Sequence, residues 1–314
     1  MLKHAKTSGA GAPANPAEVG GDDWDADHLI DADGAKMTTR TDEPAAPASG
    51  NLVMFGKTIA GGALPAYIGP SGVGSALQPF LGRNKIGYWN PGGNGTVQPL
   101  AFGMAAPTLV GTGAARNVAT TNLLTSMRRI GVASASTAGA SGSFRTAAAQ
   151  YFLGNSAGMG GFRIVIRYGC SDAATVADAR SFVGLVPGSG SISNVNPSTF
   201  INCIGLGSDS GESTLSIMHN DGSGTATKIA LGANFPDHTL SADAYELALF
   251  AAPNSLSVGY QVTRLNTGDV ASGTITTNLP AANFLMSLQV GRNNGTTALA
   301  VALDLVSLYV ETDF

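Results

Sequence analysis

From residue 161 onward, apolar and polar side chains alternate along the chain with a period of two. This period puts every second side chain on one face of an extended strand, whereas an amphipathic helix repeats about every 3.6 residues. The clearest runs begin at Phe162, Leu256 and Phe284. We therefore expect strands, and not helices, in this half of the chain.

Strands at short intervals with polar turns between them are typical of two packed antiparallel sheets. We predict an all-β fold in which residues 161–314 form an antiparallel β-sandwich of the jelly-roll type. Within it, Tyr245–Ala251 and Leu256–Thr263 should pair as a hairpin through Ala252–Ser255, which contains a Pro-Asn pair. Further strands are expected at Arg180–Val186, Phe200–Leu206, Thr214–Met218, Lys228–Leu231 and Leu299–Glu311.

The chain before residue 161 divides in two by composition. Residues 1–50 are rich in Ala, Gly, Pro and Asp without either period, so we expect an extended acidic arm. Residues 51–160 contain frequent Gly-Pro, Asn-Gly and Thr-Gly pairs, which predict a turn-rich basic linker. The one helix predicted in this linker is Thr121–Arg129, with Thr120 or the first helical residue as its N-cap.

Charged residues make up only 12% of the chain, and they are strongly segregated. Residues 1–43 carry a net charge of −5, residues 44–171 carry +9 with no Asp or Glu, and residues 172–314 carry −8. Charge asymmetry of this kind commonly reflects a binding partner. We expect the basic middle to meet an acidic surface of another chain, which a homotrimer would supply with closed symmetry.

The cysteine count and the apolar runs exclude several classes of protein. Cys170 and Cys203 are too few for a disulfide scaffold or a four-cysteine zinc site, and we interpret them as buried thiols in adjacent strands. The first residues lack the apolar core of a secretory signal, and the most apolar run, Leu299–Val310, is too short to span a bilayer. We predict synthesis in a cytoplasm and no membrane insertion.

The segment Gly154-Asn155-Ser156-Ala157-Gly158 matches the G-x-S-x-G pattern of a nucleophile elbow. That chemistry needs the serine on a sharp turn between a strand and a helix, so that its hydroxyl reaches a histidine. Here glycines and then a predicted strand follow the serine. A glycine-rich loop is therefore the favoured interpretation.

The acidic residues and histidines form no pattern of a catalytic or metal site. The cluster GDDWDADH (21–28) lacks the glycine and the final carboxylate of a calcium loop, so an acidic turn is favoured over a loose cation site. Glycoside cleavage needs two carboxylates across one bond, and no such pair is evident among Asp209, Glu212, Asp237, Asp243, Glu246 and Asp304. We predict no catalytic residue, no metal, no cofactor and no nucleic-acid partner.

One aromatic stretch suggests a ligand. Tyr88 and Trp89, followed by Asn90, could stack on a sugar ring and hydrogen-bond its hydroxyls. The alternative is an aromatic anchor packed under a loop. We take Tyr88, Trp89 and Asn90 as the candidate glycan-binding residues.

Several stretches together resemble a known family. They are GDDWDADHLI (21–30), RNKIGYWNPGGNGT (83–96), ARNVATTNLLTSMRRIG (115–131), GGFRIVIRYGCSDAATVADARSFVGL (160–185) and VALDLVSLYVETDF (301–314). Segments like these are similar to those of tail fibre or receptor-binding proteins of tailed bacteriophages. The resemblance implies a trimer, a β-sandwich of lectin-like shape, and attachment to the virion through the N-terminus.

From this resemblance we expect a non-enzymatic virion protein of the phage tail, made in the host cytoplasm. Its arm would dock on other tail or baseplate proteins through the apolar anchors Trp24, Leu29 and Ile30, and its sandwich would contact host-surface glycan. Two alternatives remain open. One is a capsular polysaccharide depolymerase or esterase, and the other is a head-surface decoration protein without a receptor role.

Overall fold

The computed structural model describes residues 30–31, 34–35, 37–70, 72, 74–76, 85–93, 95–156, 159–237 and 239–312. Their secondary structure is almost entirely β. One short α-helix, α1 (Leu123–Ser126), and one turn of 3-10 helix at Pro197–Thr199 are the helical elements of this part of the chain.

The chain divides into two compact units, Met1–Lys57 with Leu64–Leu77, and Thr58–Ala63 with Gln78–Phe314. Four of the first six strands form a small sheet in the order β3-β4-β5-β6, and the other two pair with each other. These strands are β1 (Ile30–Asp31), β2 (Gly34–Ala35), β3 (Thr39–Arg40), β4 (Val53–Ile59), β5 (Gly62–Ile68) and β6 (Gly74–Ala76).

The second unit is built from fifteen further strands in two larger sheets. In chain order they are β7 (Lys85–Trp89), β8 (Thr108–Val110), β9 (Thr112–Ala115), β10 (Ile130–Ala133), β11 (Ser141–Arg145), β12 (Phe162–Cys170), β13 (Arg180–Val186), β14 (Cys203–Ser208), β15 (Ser216–Asn220), β16 (Thr227–Ala230), β17 (Tyr245–Ala251), β18 (Val258–Arg264), β19 (Asp269–Ile275), β20 (Ser287–Asn293) and β21 (Ala302–Thr312).

The two larger sheets are antiparallel throughout. Sheet I has the strand order β19-β18-β17-β12-β21-β10-β9, and β7 also pairs with β21. Sheet II has the order β16-β15-β14-β13-β20-β11-β8. Neighbours such as β12 and β21 are far apart in sequence, so the pairing is largely non-local.

One hydrophobic core lies between sheets I and II, and it follows the predicted alternation. Sheet I contributes Phe162, Ile164 and Ile166 from β12, and sheet II contributes Leu288 and Val290 from β20. A β-bulge in the pairing of β12 with β21 shifts the register between Arg167 and Tyr168. The predicted antiparallel β-sandwich is confirmed.

The predicted hairpin is also confirmed. β17 and β18 pair antiparallel, with Tyr245 opposite Arg264 and Phe250 opposite Gly259. The second strand starts two residues later than expected, at Val258. The five further strands are present with ends shifted by at most a few residues.

The sandwich begins earlier than residue 161. Strands β7 to β11 lie within 51–160 and belong to sheets I and II, which corrects the interpretation of this stretch as a linker. Most of the expected arm, 1–50, lies outside the described residues. The strands within these turn-rich segments are too short to display a clear period, so the sequence pattern did not reveal them.

The helix is shorter than the predicted Thr121–Arg129. Its N-cap is Asn122, whose Oδ1 accepts a hydrogen bond from the Thr125 backbone N–H at 2.9 Å. Met127 is already extended, since the chain enters β10 at Ile130 to pair with β21. Strand pairing therefore ends the helix before the arginines.

The two cysteines are buried, as predicted, but they are not in adjacent strands. Cys170 ends β12 in sheet I, and Cys203 begins β14 in sheet II. Burial raises the pKa of both thiols, that of Cys203 to about 12. The adjacency prediction failed because strand order in a sandwich is not set by order along the chain.

The basic middle meets acids of this same chain. Arg116 and Arg129 each bind the Asp304 carboxylate at 2.8 Å, and Arg167 binds Glu246 at 2.6 Å. Arg167 lies on β12 beside β17, which carries Glu246, whereas Arg116 follows β9 and Arg129 precedes β10, the neighbour of β21, which carries Asp304. Strand pairing therefore uses part of the basic stretch within this chain, and the expected acidic surface of another chain stays a prediction.

None of the helices in the described part of the chain has the length and apolar character needed to cross a membrane.

Candidate functional site

Strand β7 presents its two aromatic residues to opposite environments. Trp89 is 1% exposed and belongs to the core between the sheets, where its Nε1–H donates to the Pro99 carbonyl at 3.3 Å. Its ring has no free face for a sugar, so the assignment of Trp89 as a glycan-stacking residue is wrong. Because successive side chains point to opposite faces of a strand, Trp89 must point into the core when its neighbour Tyr88 points outward.

That neighbour, Tyr88, lies on the outer face of sheet I and is 43% exposed. It pairs with Phe102 on one side, through backbone hydrogen bonds of 2.9 and 2.8 Å in both directions. It pairs with Tyr309 of β21 on the other side. Directly opposed residues of an antiparallel pair share one face, with Cβ atoms about 4.5–5.5 Å apart.

Phe102, Tyr88 and Tyr309 therefore form a continuous cross-strand line, which we call the aromatic row. Tyr309 is half-buried and Phe102 is 73% exposed, so the exposure of the rings increases along the row from Tyr309 to Phe102. With strands about 4.8 Å apart, the row spans about 10 Å. Val97 and Leu100, in the segment that carries Phe102, are also exposed.

Fixed polar groups flank the aromatic row on both sides. The Tyr309 hydroxyl donates to Glu311 Oε2 at 3.2 Å, and Glu311 lies opposite Arg163 in the pairing of β12 with β21. Burial, followed by the Glu311 charge, raises the pKa of Tyr309, so its hydroxyl stays protonated and remains a donor. Burial lowers the pKa of Arg163, and Glu311 opposes that shift.

On the other flank, Arg167 and Glu246 form the partly exposed ion pair of β12 and β17. Asn90 follows β7 and is half-buried. The arrangement combines an exposed apolar row with charged and amide groups at fixed positions. Such a surface can bind an amphipathic ligand whose ring faces are apolar and whose edges are polar.

The sequence identified Tyr88 and Asn90 but missed Phe102 and Tyr309. Because the run that forms β21 is apolar on both faces, its sequence did not show which way Tyr309 points. In the structure Tyr309 lies on the face opposite Leu308 and Val310, and its position beside Tyr88 depends on the pairing of β7 with β21. The Tyr88–Phe102 contact is an isolated bridge and leaves no pattern in the sequence.

The expected virion anchors are not tested. Trp24 and Leu29 lie outside the described residues, and so does the side chain of Ile30, whose backbone forms part of β1. The acidic cluster at 21–28 also lies outside them.

The nucleophile-elbow pattern has no catalytic surroundings in the described chain. Ser156 is exposed, and the chain continues into β12 at Phe162 without an intervening helix among the described residues. His219 is buried, and its Nδ1 lies 3.0 Å from the Asn278 carbonyl oxygen. No hydrogen bond between described residues joins Ser156 to a histidine.

All six carboxylates considered for glycoside cleavage are held in ion pairs. Asp237 binds the buried Arg292 at 2.9 Å, and Asp243 binds Arg264 at 2.9 Å. The remaining four, with their cations, are Asp209 and Glu212 with Lys228, Glu246 with Arg167, and Asp304 with Arg116 and Arg129. Within the described residues, no group of three or more His, Cys, Asp or Glu is placed to hold a metal ion.

No protein-family model and no curated protein matches the chain. Similar solved structures include a protein of unknown function from Shewanella oneidensis MR-1, with 12% identity, a TM-score of 0.46, and coverage of 75% of this chain and 89% of that one. Lectin II from Ulex europaeus has 14% identity and a TM-score of 0.45, with 72% of this chain and 98% of that one covered.

A carbohydrate esterase from the Shiga toxin-encoding bacteriophage phi24B is 16% identical, with a TM-score of 0.36 and coverage of 66% and 87% of the two chains. Identities and TM-scores this low carry no information on activity or on the position of a site. The chain is an all-β protein with an antiparallel sandwich fold. This class follows from the strand order of sheets I and II.

Proposed function

We propose that this chain is a non-enzymatic glycan-binding protein and that the aromatic row is its sugar-binding surface. The observation that carries the proposal is the alignment of Phe102, Tyr88 and Tyr309, in which β7 pairs with β21 on one side and with the bridged residue Phe102 on the other. Aromatic rings stack on the apolar faces of sugars, and neighbouring charged groups hydrogen-bond the hydroxyls. Asn90 and the Arg167–Glu246 pair supply such groups at the edges of the row.

The proposed lack of enzymatic activity is supported by how the acids are used. Each of the six carboxylates considered for glycoside cleavage is paired with an arginine or lysine of the same chain. A general acid needs a raised pKa, and a nearby cation favours the ionised form instead.

The resemblance of residues 83–96, 115–131 and 160–185 to phage tail fibre proteins supports a location of this glycan-binding function in the phage tail. We propose that the chain is a virion protein of the phage tail, attached through its N-terminal residues to tail or baseplate proteins, with host-surface glycan as its ligand. A homotrimer is part of this proposal.

The test of binding uses the purified full chain on an array of bacterial capsular and lipopolysaccharide glycans. We expect at least one saccharide to be bound without release of any product. Binding of none would contradict the proposal. Product release that is lost in Ser156→Ala would favour a depolymerase or esterase instead.

The test of location uses purified phage particles and antibodies against the chain. Immunogold labelling at the tail is expected. Labelling of the capsid would favour a head-surface decoration protein, and absence of the chain from the particles would contradict the virion assignment.

A further inference from the structure

A second concave site lies on the outer face of sheet II, on the other side of the sandwich from the aromatic row. The connection from β13 to β14, residues 187–202, forms most of its walls, and Gln289 of β20 contributes from the sheet. Gln289 belongs to the outer face because its neighbours Leu288 and Val290 lie in the core between the sheets. The cavity has a volume of about 370 Å³, within the range of small-ligand pockets.

Part of the cavity lining is apolar and fixed in position. It includes Phe200, Ile201 and Val195, and the last two remain exposed. The Phe200 ring makes an edge contact with Phe182, with 5.4 Å between the ring centroids, and its backbone carbonyl accepts a hydrogen bond of 2.7 Å from the Asn220 side-chain amide. A concave apolar surface that stays open to solvent favours a ligand with an apolar face.

The cavity offers no charge to a ligand. None of the described residues that line it is Asp, Glu, Lys, Arg or His. Arg145 lies opposite Gln289 in the pairing of β11 with β20, but it does not line the cavity, and its guanidinium donates to the Ser189 carbonyl. A charged ligand would lose hydration here without gaining an opposite charge, which is costly. The lining therefore favours a neutral ligand.

The polar part of the lining offers donors and acceptors together. Within the described chain, the backbone N–H groups of residues 188–193 make no hydrogen bond, and the carbonyls of residues 191–193 accept none. The carbonyls of residues 188–190 accept hydrogen bonds from side chains of sheet II, which hold this loop in place. Ser191 and Ser193 add two hydroxyls to the lining.

This mixture of groups is matched by hydroxyls on the ligand. A hydroxyl both donates and accepts, whereas a carboxylate only accepts and an ammonium only donates. A neutral hexose has an apolar ring face of C–H groups and an edge of hydroxyls, so it fits both parts of the lining at once.

We infer that this cavity binds one neutral sugar residue, a hexose. Its apolar ring face would lie against Phe200 and Ile201, and its hydroxyls would bind the loop 188–193. The inference concerns a different face from the aromatic row, and it does not depend on that row binding a glycan.

The test is a titration of the full chain with D-glucose and D-galactose, followed in two-dimensional amide spectra. At least one of the two should shift the resonances of residues 188–193. Its uronic acid, the matched charged sugar, should bind at least about tenfold more weakly, since the charge finds no partner. Binding of neither hexose, or a uronic acid that binds as tightly as its hexose, would overturn the inference.

Cyclohexanol tests whether the polar part of the lining takes part. It has a six-membered ring and a single hydroxyl, so it would leave most of the polar groups of the loop unpaired. We expect it to bind at least about tenfold more weakly than the hexose. Equal affinity would show that the cavity recognises an apolar ring and would contradict the assignment to a sugar.

Variants locate the binding. Val195→Trp places a large side chain in the cavity lining at a position that is 43% exposed, and it should weaken hexose binding at least about tenfold. The matched change Val270→Trp, at a position on β19 that is 56% exposed, should leave binding unchanged. Circular dichroism checks that both variants are folded. Equal affinity in the two variants would refute the location.

The double variant Tyr88→Ala/Phe102→Ala separates this cavity from the proposed glycan surface. It should bind the hexose as the unmodified chain does. Loss of hexose binding in this double variant would place the hexose on the aromatic row and would overturn the inference.

Discussion

At the scale of single residues, position along a strand decides the role more than residue type does. Tyr88 and Trp89 are adjacent, yet one faces solvent and the other lies in the core. The same alternation along a strand places the charged side chain of Arg292 in the core. It continues the inward series of Leu288 and Val290 in β20, and so a cation is placed between the sheets with 0% exposure.

Arg292 is compensated by two carboxylates, Asp172 at 2.8 Å and Asp237 at 2.9 Å. Removing one member of a buried ion pair leaves an unpaired charge, which costs about 3–5 kcal/mol. We therefore expect Arg292→Met to lower the free energy of unfolding by about that amount in urea denaturation. The matched change Arg167→Met removes a partly exposed pair and should cost about 0–1 kcal/mol. Equal losses in the two variants would contradict this account.

The cysteines give a prediction of reactivity. Burial raises the pKa of both thiols, so Cys170 and Cys203 remain protonated at neutral pH. Since the thiolate is the reactive species, neither should react with a thiol reagent such as DTNB in the folded protein. Both should react on addition of denaturant. Rapid labelling of one thiol under native conditions would show that its environment is more open than described.

At the scale of elements, Lys228 holds the edge strand β16 to the turn that follows β14. Its ammonium binds Asp209 at 2.5 Å and Glu212 at 2.7 Å. Burial alone would raise the pKa of Asp209, but hydrogen bonds from Lys228 and Ser198 lower it overall. A carboxyl whose folded pKa is depressed stabilises the fold above its unfolded pKa, and that contribution is lost as the pH falls through the folded value.

Lys228→Met should therefore lower the melting temperature at neutral pH, and the difference from the unmodified chain should shrink as the pH falls below 3.8. Thermal unfolding followed by circular dichroism between about pH 7 and pH 3 measures this. Arg128→Met, at an exposed position, serves as the control. A difference that stays constant with pH would rule out the titration of Asp209 as its cause.

The sequence predicted elements well where their period was long and clear. β12, β17, β18 and β20 were readable because a run of four alternating apolar residues lies within each strand or leads into it, and the hairpin between β17 and β18 is local. The short strands β7 to β11 were not readable, since three to five residues between glycines cannot display a period. Tyr88 was identified as a site residue from its residue type and the adjacent Trp89 and Asn90. Its spatial neighbours Phe102 and Tyr309 could not be identified, because their positions depend on non-local strand pairing.

At the scale of the whole molecule, part of the charge segregation has an internal explanation. The basic strand β12 lies between two strands that carry acids, and Arg116 and Arg129 share Asp304. Complementary charges on strands distant in sequence favour the native pairing over others. The proposed homotrimer stays a prediction.

Size-exclusion chromatography with light scattering tests the oligomer. A trimer should have three times the chain mass of 31.6 kDa, about 95 kDa, in low and high salt alike. A monomer at micromolar concentration in both conditions would exclude the trimer.

The central claim is that the aromatic row binds glycan, and the most direct measurement compares two variants on the saccharide that the array identifies. Tyr88→Ala/Phe102→Ala removes two exposed rings, while Leu256→Ala removes an apolar side chain that is 86% exposed on another part of the sandwich. Each aromatic contact contributes about 0.5–1.5 kcal/mol, so the double variant should bind about tenfold or more weakly by biolayer interferometry. The Leu256→Ala variant should bind as the unmodified chain does, with both variants folded by circular dichroism. Unchanged affinity in the double variant would contradict the claim.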